Sequence, residues 1–170
     1  MGDKAKIIDS VVAAGDKAWS IMKDGAPVSG AESKFLAAVP KGMSPSDPIY
    51  NGRYDKASGI TFGFVDGFGL DVIRGKLKIM FRHSGKVEGS PGLFVTDFSI
   101  SDNGTHVRAF GYCEVKATLT GTPTKVGMSG QDPIWSITLK VEAHYGQKYG
   151  NRARRSWNVT ARGDGKCVIA

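Results

Sequence analysis

The side chains able to do chemistry in this chain are scattered, and their spacing limits what each can do. His83, His106 and His144 stand apart, with no second His, Cys or Asp beside any of them at metal-ligand spacing. No metal site and no cofactor are therefore expected. Cys113 and Cys167 are read as buried thiols, or as one bridge if their strands lie side by side. Glu114 and Glu142 could form a carboxylate pair, but both fall on the polar side of alternating segments, where solvated ions are the rule. Gly127-Met128-Ser129-Gly130 lacks the spacing of a nucleophile elbow, and no helix follows the glycines of 63–69 to aim its N-terminus at a phosphate. These absences point to a non-enzymatic role with no catalytic residues. Arg162-Gly163-Asp164 is the tripeptide read by some adhesion receptors, placed here at an expected turn.

The densest chemistry is basic and aromatic. Tyr145, Lys148, Tyr149, Arg152, Arg154, Arg155 and Trp157 fall within 13 residues. Lys148, Arg152, Arg154 and Arg155 are suited to phosphates, and Tyr145, Tyr149 and Trp157 to the headgroup level of a lipid surface. The same set suits a nucleic acid, with rings for bases and cations for the backbone. The whole chain agrees in sign: 170 residues carry 23 Lys and Arg against 16 Asp and Glu, a net charge of +7. A basic surface favours anionic partners.

Two periodicities must position these residues. In the first 25 residues Ile7, Ile8, Val11, Val12, Ala14, Ala18, Trp19 and Met22 recur at spacings of three and four. That pattern predicts an amphipathic helix started by Asp3 and stopped by Gly25 and Pro27. Ile8, Val11, Val12, Trp19 and Met22 would form its lipid- or partner-binding stripe. Residues 26–59, rich in Gly and Pro, read as a connecting segment with one helical turn near 31–39. From residue 60 the period becomes two. Leu77, Ile79 and Phe81 alternate with Lys76, Lys78 and Arg82; Cys113, Val115 and Ala117 with Glu114, Lys116 and Thr118; Trp135, Ile137, Leu139, Val141, Ala143 and Tyr145 with Ser136, Thr138, Lys140, Glu142 and His144; Trp157, Val159 and Ala161 with Asn158 and Thr160. Each reads as a strand with one buried and one wet face. No helical segments separate them, so the sheet should be antiparallel. The expected fold is mainly β: an antiparallel β-sandwich or closed barrel over 60–170, preceded by one N-terminal amphipathic helix.

The start of the chain lacks the pattern of a secretory signal, so cytosolic synthesis or release by a non-classical route is expected. The layout resembles that of the actinoporin-like cytolysins. The segment 5–25, AKIIDSVVAAGDKAWSIMKDG, looks like their N-terminal helix in length, polarity and placement, and Arg162-Gly163-Asp164 is a tripeptide also found in that family. Here the tripeptide lies closer to the C-terminus than in that family, and the dense Tyr/Trp cluster of their lipid site is not matched. The resemblance implies a sandwich that docks on lipid through exposed aromatics, and a helix that detaches to line an oligomeric pore. The expected function is therefore binding to anionic lipid membranes, with pore formation as its sharper form and a homo-oligomer as the active species. Two alternatives are a self-assembling structural protein using the helix for subunit contacts, and nucleic-acid binding through the basic C-terminal hairpin.

Overall fold

A computed structural model describes residues 11–48 and 52–170, with side chains described outside 52–58. The strands are β1 (Val11–Gly15), β2 (Ala18–Lys23), β3 (Ala26–Pro27), β4 (Leu36–Pro40), β5 (Gly52–Val65), β6 (Asp71–Val87), β7 (Ser90–Asp102), β8 (His106–Val107), β9 (Gly111–Leu119), β10 (Thr124–Ser129), β11 (Asp132–Gln147), β12 (Arg152–Arg162) and β13 (Cys167–Ile169). A single turn of 3-10 helix, Ala31–Ser33, precedes β4. The protein is thus mainly β, built as one curled thirteen-stranded sheet.

The sheet has two antiparallel arrays. One runs β5-β6-β7-β4-β1, with β8 continuing the β7 side of β6. The other runs β3-β2-β9-β11-β12-β13, with β10 continuing the β9 side of β11. A parallel bridge between Leu93 and Ile134 joins them. The inward residues of both arrays form one core cluster, in which Ile73, Leu77, Ile79 and Phe81 of β6 meet Val115, Leu139, Val141 and Val159. Burying each such side chain fully contributes about 1.5–3 kcal/mol. Alternation explains the long strands: along β11, Ile137, Leu139, Val141, Ala143 and Tyr145 are buried while Thr138, Lys140, Glu142 and His144 face out; nearer its start the expected alternation fails, with Ser136 buried and Trp135 only half-buried.

The expected N-terminal helix is overturned from residue 11 onward; Ile7 and Ile8 lie outside the described residues. β1 and β2 occupy 11–23. Three local features explain the difference. Val11 and Val12 are β-branched and suit an extended chain. Gly15 has φ 104, and a Cβ there would sit 2.5 Å from the Phe35 carbonyl oxygen, so it breaks β1 from β2. Asp24 and Gly25 both have positive φ, 52 and 79, and Lys23 pairs with Ala26. That is a two-residue Asp-Gly hairpin turn, the signal that the helical reading takes for a stop. Trp19 and Met22 are consequently core residues, 7% and 1% exposed. The Trp19 indole N–H donates to the Ile100 carbonyl at 3.2 Å, tying β2 to β7 across the core. Val11 packs at the margin of that core and Val12 is on the surface.

The 26–59 segment also holds more structure than its composition suggests. All five residues of β4 are buried, and the strand lies inside the sheet between β1 and β7. Of the helical turn expected near 31–39, residues 31–33 form the 3-10 turn and 36–39 belong to β4. Cys113 and Cys167 are not bridged to one another. They belong to β9 and β13, with β11 and β12 between them, and their registers meet β12 at Ala153 and Ala161, eight residues apart along the strand. No bridge can span that distance.

Candidate functional site

The expected basic and aromatic residues are divided among three settings. Tyr145 faces the core and is 3% exposed, with its ring centroid 4.9 Å from that of Phe62. Trp157 is half-buried and packs on the same ring at 5.8 Å. Both therefore pack β5 against β11 and β12, and the buried Tyr145 is closed to a ligand. Arg155 shares the face of Trp157, with its guanidinium 6.0 Å from the indole centroid. Arg154 points to the outer face, where it donates to Glu142 at 2.7 Å. Lys140 reaches the same carboxylate at 2.9 Å. Hydrogen bonds from Arg154 and Lys140 pull the Glu142 carboxyl down to about 2. Glu114 and Glu142 do line a common small cleft with Lys116 and His144. Glu142 is neutralised there by its cations, so it is poorly placed to take up a proton.

The Arg162-Gly163-Asp164 turn is closed on itself. The Arg162 guanidinium donates to both Asp164 oxygens, at 3.1 and 2.8 Å. Gly163 is pinned by its own N–H to the Trp135 carbonyl and by Ser84 N–H to its carbonyl. The two charges that an adhesion receptor would read satisfy one another.

Lys148 and Tyr149 sit on the β11–β12 turn at one end of the molecule. Two further turns meet them there. The β5–β6 turn carries Phe68, and the β8–β9 turn carries Phe110. These three rings are the most exposed large hydrophobic groups described: Phe68 93%, Tyr149 83% and Phe110 75%. Each turn is held by hydrogen bonds. The Asp66 carboxylate accepts the N–H groups of Phe68 and Leu70, both at 2.9 Å. Gly111 N–H closes a four-residue turn on the Arg108 carbonyl, and Lys148 N–H donates to the Phe110 carbonyl at 2.8 Å. Between the turns lies a cleft of about 420 Å³, walled by Leu70, Val72, Phe110 and Tyr149 with Arg108 at its side.

Phe110 has φ 62. A left-handed conformation costs a bulky L-residue about 1–2 kcal/mol, and Gly or Asn would adopt it more readily. The chain accepts that cost to keep an apolar ring in water.

Sequence reasoning found Lys148 and Tyr149 but missed Phe68, Phe110 and Arg108. A signal was present in Gly67-Phe68-Gly69 and in Phe110-Gly111, where large aromatics sit inside turn-forming glycines with no alternating partner. The convergence of three turns distant in sequence was not legible, because it depends on strand order.

No protein-family description, curated protein or solved structure matches the chain.

Proposed function

We propose that the protein binds anionic lipid membranes without catalysis, docking through the end that carries Phe68, Phe110 and Tyr149. The observation that carries this reading is the strained, exposed Phe110 sharing one cleft with the exposed Tyr149 and with Arg108, while exposed Phe68 sits on the turn whose Asp66 and Leu70 line the same cleft and Lys148 stands next to Tyr149. Aromatic rings settle at the headgroup level of a bilayer, and each nearby Lys or Arg adds about 1 kcal/mol on an anionic surface. An apolar cluster with cationic neighbours matches that interface in both polarity and charge.

The proposal stops at the membrane surface. Residues 11–23, which the helical reading would insert into lipid, are strands whose Trp19 and Met22 serve the core. No helix of the described residues is long and apolar enough to cross a membrane.

Co-sedimentation with vesicles tests the reading. Phosphatidylserine-containing vesicles should bring the protein down, and pure phosphatidylcholine vesicles should do so far less. Replacing Lys148 with Gln should weaken binding about fivefold, the equivalent of one interfacial charge. No sedimentation with either vesicle would reject the proposal. Binding to single-stranded RNA in its place, with steep salt dependence, would transfer the same rings and cations to a nucleic acid.

A further inference from the structure

Arg152 belongs, on sequence grounds, with the phosphate-binding cations. Its guanidinium is engaged elsewhere. Nη2 donates to the Lys148 carbonyl at 2.9 Å and Nε to the Gln147 carbonyl at 3.4 Å. The guanidinium carbon lies 4.0 Å from the centroid of the Tyr112 ring, a stacking distance. Tyr112 is two residues from Phe110, and the Lys148 carbonyl belongs to the peptide that leads into Tyr149. One side chain thus grips both aromatic-bearing turns, across the Lys148 N–H to Phe110 carbonyl bond that already joins them. At the neck of the hairpin Gln147 N–H donates to the Asn151 carbonyl at 2.8 Å, and Gly146 passes so close to Asn151 that a Cβ would lie 2.4 Å from its oxygen.

We propose that Arg152 is a positioning residue: it locks the Phe110 and Tyr149 turns into one rigid docking unit and does not itself hold a lipid phosphate. The inference rests on the membrane reading above for its consequence, and on the fold alone for its geometry. The chemistry requires arginine. A planar fork can donate to two carbonyls while its face lies on a ring, and an ammonium group of the same charge cannot do both. Rigid turns have less conformational freedom to lose on binding, and each side chain ordered in advance saves about 0.5–1.5 kcal/mol. Lys148 is differently disposed. Its ammonium lies 5.6 Å from the Tyr149 ring centroid at the exposed tip, where a phosphate can reach it.

The experiment compares the full-length R152K and R152A variants with the parent protein on phosphatidylserine-containing vesicles over a range of salt. It also follows amide hydrogen exchange at Lys148 without lipid. R152K should lose about as much affinity as R152A, on the order of tenfold for two freed turns. Its salt dependence should stay that of the parent, because its charge is kept. In both Arg152 variants the Lys148 amide should exchange faster while core amides of β9 and β11 stay protected, which separates loosened turns from a lost fold. Parent-like binding by R152K with weak binding by R152A would make Arg152 a plain charge and overturn the inference, leaving the membrane reading standing. If the parent protein ignores vesicles, the membrane reading fails, and exchange at Lys148 decides the clasp: unchanged protection in R152K overturns it.

Discussion

Phe110 shows how a single residue trades stability for exposure. Its turn position favours Asn or Gly, and its ring is mostly in water. Phe110→Asn should therefore raise the thermal midpoint, by the equivalent of about 1 kcal/mol, while weakening vesicle binding. A variant that loses both would place the ring in the fold's service. Glu142 gives a pH-dependent counterpart. Its carboxyl lies near 2 in the folded protein against an ordinary 4.5, held down by Arg154 and Lys140. Its ion pairs thus stabilise the fold fully above about 4.5, and that contribution disappears as pH falls toward 2. The gap in thermal midpoint between parent and Glu142→Gln should be present at neutral pH and close across that window. Burial pushes the Cys113 thiol up to about 12, whereas Cys167 is only half-buried. Iodoacetamide should accordingly label Cys167 in the native protein and Cys113 only after unfolding.

At the scale of elements, the alternating segments from residue 60 were legible because a two-sided strand writes its burial directly into the sequence. The Leu77–Phe81, Cys113–Ala117 and Ile137–Tyr145 alternations all became strands with the expected faces inward. Residues 11–23 were misread because Val11, Trp19 and Met22 satisfy helical spacing while two short strands separated by Gly15 bury a similar set. β2 adds to the ambiguity: a bulge between Ser20 and Met22 lets Trp19, Ile21 and Met22 all be buried, which a regular strand would forbid. β4 was obscured by its Gly- and Pro-rich flanks, since LAAVP is too short to show a period. The two readings of the N-terminal segment make opposite forecasts at one position. In a helix, Gly15→Ala would stabilise by about 1 kcal/mol. In the sheet it places a Cβ against the Phe35 carbonyl at positive φ, so it should destabilise by about 1–3 kcal/mol in a denaturant titration.

Over the whole molecule, the basic charge is distributed, but the turns that carry the three most exposed aromatic rings converge. Three turns separated by some forty residues each along the chain reach the same end because β6, β9 and β11 all begin or finish there. The rest of the C-terminal hairpin has structural work: Tyr145 and Trp157 pack on Phe62, and Arg154 pairs with Glu142. The candidate site was thus half legible, through Lys148 and Tyr149, and its other half required the topology. The most direct test maps which surface meets lipid. Amide signals of the full-length protein would be recorded on anionic vesicles or bicelles carrying a paramagnetic label at headgroup depth. Broadening should concentrate on residues 66–70, 108–111 and 147–150. Broadening centred on 11–23, or on the outer faces of β9, β11 and β12 with those three turns untouched, would contradict the account.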